Sequence, residues 1–306
     1  YDMHKALTEN GFESVVCYGR GELVKEANVY KTCPEWYSKL NNALSRVTGI
    51  MYGGCFFSTN KLISVIKKER PDVVHLQCIN GYFVNIYRLV TWLKKNKIKT
   101  ILTLHAEFMY TANCGHALEC DRWKTGCGRC PRRKAETKSI FLDRTAKSWQ
   151  LMKKAFDGFD KDLLVVSVSP WLMERAKQSP ILQEKKHSVV FNGLDTDIFH
   201  HYETSDLRNQ YNCENKKVVF HATPTFSNDP NHIKGGYYIL ELAKKMPEVQ
   251  FIIAGDCVET IHTSENVVLL GKITDQTLLA RYYSMADVTV IASKRETFSM
   301  IVAESL

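Results

Sequence analysis

The chain has 306 residues, of which 44% are hydrophobic and 24% charged, and its formal net charge is +8. This length and composition are typical of a globular protein with two separate cores, and they exclude a disordered chain. The longest nearly unbroken apolar stretch, residues 163–173, contains two serines and a proline and is far shorter than the roughly 20 residues of a membrane span. No signal-peptide pattern opens the chain, so we expect it to lie in the cytoplasm.

The positive charge is concentrated in the first part of the chain. Residues 1–200 carry 31 Lys and Arg against 20 Asp and Glu, a net charge of +11, whereas residues 201–306 carry 10 against 13, a net charge of −3. A basic face of this kind attracts phosphate-bearing partners such as nucleic acid, anionic lipid headgroups or a lipid diphosphate. Solvated lysines on helix surfaces are the simpler explanation.

Four apolar runs rich in β-branched residues predict buried strands in the first half of the chain. They cover residues 14–18, 72–76, 100–104 and 163–168. Residues 59–68 and 83–95 place apolar side chains at spacings of three and four, which predicts amphipathic helices between the strands. Strands that alternate with helices predict an α/β fold with a parallel, doubly wound, Rossmann-like sheet.

The same alternation begins again after residue 215. Strands are predicted at 217–221, 249–254, 267–270 and 288–292, and helices at 236–245 and 275–285. A polar, turn-rich segment separates the two halves, so we place an N-terminal domain at 1–200 and a C-terminal domain at 201–306. Both ends of the chain interrupt a helical pattern, and we therefore expect both domains to be truncated.

Candidate binding residues follow the predicted strands, because ligands of open parallel sheets bind beyond the carboxyl ends of the strands. Asn80, Gly81 and Tyr82 come shortly after the strand at 72–76, and His105 follows the next strand directly. A single histidine after a strand is more often structural than catalytic. These residues are candidates for a site in the first domain.

In the second domain, Glu296 and Glu304 are separated by seven residues across a transition from loop to helix. A helix that begins near Ser299 would offer free backbone amides to a diphosphate. Lys234 precedes a Gly-Gly pair at the start of another predicted helix, where the lysine would reach a phosphate and the glycines permit close approach. The alternatives are solvated carboxylates and a plain Gly-Gly turn.

Five ordered segments resemble the family 4 retaining glycosyltransferases. SKRETFSMIVAESL (293–306) resembles the E-x7-E signature of the family, and YYSMADVTVIAS resembles the helix, Ala-Asp and strand before it. VVFNGLDTDIF (189–199) resembles the Asn-Gly segment at the domain junction, IKGGYYILELA the Lys-Gly phosphate loop, and TLHAEF the Thr-Leu-His element. The resemblance spans nearly the whole chain and is to members that build bacterial capsule, exopolysaccharide or lipopolysaccharide.

The resemblance implies a GT-B fold, in which two Rossmann-like domains face a cleft, the C-terminal one binding the nucleotide sugar and the N-terminal one the acceptor. Carried over by position, Glu296 contacts the sugar hydroxyls, His105 lies near the sugar, Glu304 contacts the ribose and Lys234 the diphosphate. The further donor-side residues are Gly235, Phe298, Ser299, Met300 and Ile301, and the acceptor-side residues are Asn80, Gly81 and Tyr82.

The resemblance also implies a UDP- or GDP-linked donor and a retaining, front-face reaction without a side-chain nucleophile. A departing diphosphate develops negative charge that a lysine and a helix N-terminus can stabilise, so we expect no catalytic metal. Two positions depart from the family pattern. HATPTFSNDPNHI lacks the arginine that commonly precedes the Lys-Gly, and Ser299 replaces the usual glycine.

Cys114, Cys120, Cys127 and Cys130 lie within seventeen residues of a Cys-rich, loop-like insertion at 106–138. Their spacing is typical of a structural zinc site, in which four thiolates organise a segment that has few apolar residues. Reduced thiols packed in a loop and disulfides formed on purification are the alternatives.

Two basic groups are candidates for an anionic membrane surface near a glycan or polyprenyl-diphosphate-linked acceptor. They are Arg129, Arg132, Arg133, Lys134 and Lys138, and Lys94, Lys95, Lys97 and Lys99. We therefore expect a cytoplasmic protein that is peripheral at the inner face of the membrane. A nucleotide-sugar epimerase of the same architecture and an inactive homologue are alternatives. A zinc-stabilised nucleic-acid-binding protein would leave the ordered motifs without a reason, so we expect no nucleic acid partner.

Overall fold

The computed structural model describes all residues from Tyr1 to Leu306. The chain divides into two compact units, unit 1 (Tyr1–Phe191) and unit 2 (Asn192–Leu306). Unit 2 begins before the boundary predicted near residue 200, and Phe199 packs against its hydrophobic core. No helix is both long enough and apolar enough to cross a membrane.

Unit 1 contains six strands, all paired in parallel. They are β1 (Val16–Tyr18), β2 (Val29–Lys31), β3 (Val74–Gln77), β4 (Thr100–Leu104), β5 (Leu163–Ser167) and β6 (Lys186–Val189). Strands β3, β4, β5 and β6 form one sheet in that order, and β1 pairs with β2 separately. The four strands predicted in this half are confirmed to within two residues. Strands β2 and β6 were not predicted, because both are short and contain polar residues.

The helices of unit 1 cover the sheet and the connections between strands. They are α1 (Asp2–Glu9), α2 (Glu35–Thr48), α3 (Phe56–Glu69), α4 (Ile86–Lys95), α5 (Phe108–Thr111), α6 (Arg133–Glu136), α7 (Thr145–Phe156) and α8 (Pro170–Ala176), with a 3₁₀ helix at Arg122–Lys124. Helix α4 begins where the Asn85 side chain accepts a hydrogen bond from the Arg88 amide. Its fully buried Leu89, Val90 and Leu93 anchor it in the core, and each such side chain contributes about 1.5–3 kcal/mol.

Unit 2 is a second parallel α/β unit. Its strands are β7 (Val218–Phe226), β8 (Gln250–Cys257), β9 (Val267–Gly271) and β10 (Val288–Thr289), and its helices are α9 (Ser205–Gln210), α10 (Gly236–Lys245), α11 (Gln276–Met285) and α12 (Met300–Ser305). The strand order is β10-β7-β8-β9. The predicted helix at 236–245 is confirmed as α10.

Both faces of this sheet are buried, and adjacent residues of a strand enter different cores. Ile252 of β8 packs in one cluster with Phe220, whereas Phe251 and Ile253 pack in another with Phe226. Because side chains alternate along a strand, two covered faces produce a continuous apolar run, which is why these strands were recognisable in the sequence. The predicted α/β, doubly wound class is confirmed.

Strand β10 is shorter than the predicted strand at 288–292. The Val290 amide still donates to the Phe220 carbonyl, at 2.9 Å. The Val290 carbonyl, however, accepts from the His221 imidazole at 2.8 Å instead of from the neighbouring strand. A side chain therefore replaces the next bond of the ladder, and the regular strand ends.

Candidate functional site

Lys234 and Glu296, which the family resemblance assigns to the diphosphate and the donor sugar, are in direct contact. The Lys234 Nζ atom lies 2.8 Å from Glu296 Oε1, and about a quarter of each side chain is exposed (25% and 27%). Lys234 precedes α10, which follows β7, and Glu296 lies in the loop after β10. Two neighbouring parallel strands thus bring together residues that are 62 positions apart.

Backbone contacts hold the two loops together around this ion pair. Gly235 has a φ of +70°, and a Cβ atom at this position would lie 2.0 Å from the Ala292 carbonyl oxygen. The Lys294 amide donates to the Ile233 carbonyl at 2.9 Å, and the Lys294 ammonium donates to the Pro230 carbonyl at 2.7 Å. Glycine is required at 235 because the loops approach so closely.

His221 is a buried polar residue, close enough to Lys234 to feel its charge, that the sequence does not reveal as a site residue. Only 1% of it is exposed, and its Nδ1 donates to the Val290 carbonyl. Burial lowers the pKa of His221, and the nearby Lys234 ammonium lowers it further, so the imidazole is neutral at physiological pH. The signal in the sequence is the single polar residue inside the apolar run VVFHA at 218–222.

Helix α12 carries the remaining predicted donor-side residues. Ser299 precedes the helix, Met300 and Ile301 begin it, and the Ser299 side chain makes no capping hydrogen bond. Glu304 Oε2 accepts a hydrogen bond from the hydroxyl of Tyr283 at 2.9 Å. Burial, with the Glu304 carboxylate adding to it, raises the pKa of Tyr283, so this phenol stays a donor. The contact fixes the Glu304 carboxylate against α11.

In unit 1, His105 lies in a polar group at the carboxyl ends of β3 and β4. Its Nε2 atom is 3.2 Å from Gln77 Oε1, and His75 Nε2 is 2.7 Å from Thr103 Oγ1. Burial lowers the pKa of His105, and it lowers that of His75 as well, with His105 adding to the effect. Both imidazoles are therefore suited to neutral hydrogen bonding.

The predicted acceptor-side residues Asn80, Gly81 and Tyr82 follow β3 in an irregular turn. Ser38 of α2 donates to the Gly81 carbonyl at 3.0 Å. The Tyr82 ring lies 4.9 Å from that of Tyr52, and burial raises the pKa of its phenol. Gly81 and Tyr82 thus contact the segment around α2, whereas His105 contacts Gln77.

The four cysteines of the insertion lie near one another as free thiols. Burial raises the pKa values of the Cys114 and Cys130 thiols, and it raises the pKa of Cys127 to about 11. The neighbouring thiols, Cys120 among them, raise these pKa values further. No group of three or more His, Cys, Asp or Glu side chains has the arrangement of a metal site, so the thiols as placed do not fit tetrahedral zinc. The zinc site stays a prediction, which metal analysis of the purified protein would test.

The insertion is more ordered than its loop-like sequence predicted, because a buried carboxylate and aromatic side chains support it. Glu107 is fully buried; it accepts from the Ala117 amide and from Arg175 of α8 at 3.0 Å. The Arg175 guanidinium lies 5.2 Å from the rings of both Trp123 and Trp171. Sequence reasoning missed Glu107 and Arg175, since no short spacing connects them.

Unit 1 contains a cavity with a volume of about 740 Å³. None of the predicted catalytic, donor-side, acceptor-side or zinc-site residues lines it. The lining residues are Ile50, Gly53, Asn60, Ile63, Ser64, Lys67, Asn85, Tyr87, Arg88, Thr91, Trp92, Lys95 and Leu151.

Comparison with known proteins adds a family and a relative. The sequence model of a family described as Glycosyltransferase Family 4 matches residues 1–198. A relative in Escherichia coli (strain K12) is WcaC, assigned to colanic acid biosynthesis as a glycosyl transferase, which is 29% identical over 143 residues. The alignment covers 42% of this chain, and the chain spans only 35% of the length of WcaC.

Two solved structures share the fold. An alpha,alpha-trehalose-phosphate synthase (UDP-forming) from Burkholderia vietnamiensis has a TM-score of 0.56 and 10% identity, and the match covers 98% of this chain and 74% of that one. An alpha,alpha-trehalose 6-phosphate synthase from Burkholderia multivorans has a TM-score of 0.59 and 10% identity, and the match covers 98% and 73%. The predicted GT-B class, with two Rossmann-like units, is confirmed.

Proposed function

The chain belongs to glycosyltransferase family 4, and we propose that it transfers a sugar from a nucleotide-sugar donor to a glycan or lipid-linked acceptor in cell-surface polysaccharide synthesis. The contact between Lys234 and Glu296 carries the proposal. It joins the two motifs to which the family resemblance assigns the diphosphate and the donor sugar. The relationship to WcaC, assigned to colanic acid biosynthesis, supports the polysaccharide class.

Unit 2 supplies the donor site in this proposal. A diphosphate carries more negative charge than one carboxylate, so a UDP- or GDP-linked sugar would compete with Glu296 for the Lys234 ammonium. Glu296 would then accept hydrogen bonds from sugar hydroxyls, and Glu304 would accept them from the ribose. The backbone of Gly235 and of residues 298–301 would line the sugar and the phosphates.

We propose a retaining, front-face reaction. The acceptor oxygen bonds to the anomeric carbon on the face from which the diphosphate departs, and the bond from that carbon to the phosphate oxygen breaks. The acceptor proton passes to the leaving phosphate. Lys234 stabilises the charge on the departing group. In unit 1 we propose His105 as a catalytic residue, as the family resemblance implies. The reaction as proposed requires no catalytic metal.

Unit 1 supplies the acceptor side, with Asn80, Gly81 and Tyr82 as the proposed contacts. Unit 1 has a net charge of +13, from 31 Lys and Arg against 18 Asp and Glu, which favours an acceptor that carries a diphosphate and a membrane with anionic headgroups. A polyprenyl-diphosphate-linked glycan fits this charge. We propose that the protein works in the cytoplasm as a peripheral protein at the inner face of the membrane.

A thermal-stability screen against nucleotides and nucleotide sugars tests the donor site. A ligand that binds only the folded state at about 100 times its Kd adds about 2.7 kcal/mol to the free energy of unfolding. We expect one nucleotide class to raise the Tm, and we expect Lys234→Ala and Glu304→Ala to reduce that shift. Lys272→Ala and Glu265→Ala, which change exposed residues of the same unit, are the matched controls.

The same protein then receives the stabilising nucleotide sugar with and without a glycan acceptor. Transfer that depends on the acceptor, retains the anomeric configuration and persists in EDTA would support the proposal. Isomerisation of the donor without an acceptor would identify an epimerase instead. Folded protein that responds to no nucleotide would contradict the donor site.

A further inference from the structure

Helix α2 turns an apolar face toward solvent. Trp36, Leu40, Leu44 and Val47 follow one another at spacings of four, four and three, which places them on one side of the helix. Their exposed fractions are 66%, 47%, 50% and 50%. We call these four residues the apolar face of α2. Scattered exposed leucines are ordinary in soluble proteins, but a continuous stripe along one helix usually marks an interaction surface.

The polar side of α2 is the side that is buried. Ser38, Asn41 and Ser45 are each less than 9% exposed. The Asn41 side chain accepts from the Cys55 amide at 2.7 Å, and Ser38 donates to the Gly81 carbonyl at 3.0 Å. These bonds fix the rotation of the helix, because turning it over would leave buried polar groups without partners. The outward position of the apolar face is therefore built into unit 1.

The start of helix α3 and the loop at 140–142 extend this surface. At the start of α2, the ring of Tyr37 lies 6.0 Å from that of Phe57, which is 79% exposed. At its end, the Arg46 carbonyl accepts from the Ile140 amide at 2.9 Å, and Phe141 beside it is 70% exposed. The apolar face thus continues into an aromatic residue at each end.

Cationic side chains border the surface. Lys39 and Arg46 are exposed on α2, and Arg133 donates to the Phe141 carbonyl at 2.7 Å. The nearby acidic groups are already engaged, since Glu35 pairs with Arg20 at 3.5 Å and Glu136 pairs with Arg132. A second copy of this chain would set like charges against one another, whereas anionic lipid headgroups complement them.

We propose that the apolar face of α2, with Phe57 and Phe141, inserts into the headgroup region of an anionic bilayer. An apolar stripe with aromatic residues and a basic border is the pattern of helices that lie in the membrane interface. The inference rests on the proposed function in one respect: a transferase with a lipid-linked acceptor works at such a surface. It adds one defined apolar surface to the two basic groups that the sequence predicts to face an anionic membrane.

Co-sedimentation with vesicles of phosphatidylcholine, with and without phosphatidylglycerol, tests the proposal. We expect the purified protein to bind the anionic vesicles. The variant Trp36→Ser/Leu40→Ser/Leu44→Ser should bind them with an affinity that is lower by about tenfold or more, because it loses three apolar side chains that lipid would cover. The matched control is Leu23→Ser/Val258→Ser, which removes exposed apolar side chains elsewhere (64% and 57%). Lys39→Gln/Arg46→Gln should reduce the preference for phosphatidylglycerol.

Two readouts separate this proposal from its competitors. Tryptophan emission should shift to the blue on vesicle binding, and Trp36→Phe should abolish most of that shift. Equal vesicle binding by the native protein and the triple serine variant would overturn the proposal. So would a dimer, seen by sedimentation equilibrium, that the triple variant loses. Failure of nucleotide binding with vesicle binding intact would instead contradict only the proposed transferase function.

Discussion

Gly235 lies where the loops that carry Lys234 and Glu296 approach each other most closely. Its φ of +70° is shared by Gly271, but only at Gly235 would a Cβ atom meet a neighbour, the Ala292 carbonyl oxygen at 2.0 Å. At Gly271 nothing lies within 4 Å of that position. The two glycines therefore separate the cost of the left-handed backbone from the cost of the steric contact.

We expect Gly235→Ala to lower the free energy of unfolding by about 2–4 kcal/mol, since it combines backbone strain with a clash against backbone atoms. Gly271→Ala should cost about 1 kcal/mol, because only the strain applies. Urea unfolding followed by circular dichroism measures both. Equal losses for the two variants would contradict the close approach of the loops at Gly235.

Individual site residues were predictable from the sequence only where a motif carried them. Lys234 and Glu296 stood in two motifs of the family resemblance, and the structure places their side chains in contact. His221 and Glu107 belong to no motif. Each is a single polar residue that packing buries, and hydrophobic periodicity gives no signal for one residue. The donor-side roles remain predictions, because the matched family segment ends at residue 198.

At the scale of elements, one buried ion pair connects the Cys-rich insertion to α8. Glu107 is fully buried, and Arg175 is 15% exposed at its side chain. Removing one partner of such a pair leaves the other charge buried without compensation. Buried side chains such as Tyr110 and Trp123 pack in the insertion as well, and Arg175 stacks near Trp123, so we expect the order of the insertion to depend on this pair.

We expect Glu107→Ala to lower the free energy of unfolding by about 3–5 kcal/mol. Glu174→Ala is the control, because Glu174 is next to Arg175 in the sequence but pairs with Lys177 at the surface. The Glu174 side chain is 63% exposed, and a surface ion pair of this kind contributes about 0–1 kcal/mol to stability. Urea unfolding and limited proteolysis at 106–138 give the two measurements. Similar losses for both variants would show that the insertion is held by other contacts.

The sequence predicted the strands more completely than the faces of the helices. Strands buried on both faces appear as apolar runs, so four were found in each half. The outward orientation of α2 has no such signal, because a helical period does not say which side meets the core. Buried Asn41 and its bond to the Cys55 amide decide the orientation, and that contact exists only in the folded chain.

At the scale of the whole molecule, the two units differ in charge and in the partner that this charge favours. Unit 1 (Tyr1–Phe191) carries 31 Lys and Arg against 18 Asp and Glu, a net charge of +13, and unit 2 (Asn192–Leu306) carries 10 against 15, a net charge of −5. Long-range attraction of an anionic surface therefore belongs to the first unit. A nucleotide diphosphate in the second unit depends on local cations such as Lys234, since the unit as a whole repels anions.

This division predicts where a nucleotide changes local stability. We expect UDP or GDP, whichever raises the Tm, to slow amide hydrogen exchange at residues 230–236 and 292–304 by up to about 100-fold at about 100 times Kd, because binding suppresses local opening. Exchange in α3 and α4, which line the 740 Å³ cavity, should not change. Lys234→Ala should abolish the protection, whereas Lys272→Ala should preserve it. Protection confined to α3 and α4 would move the nucleotide to unit 1 and contradict the proposed donor site.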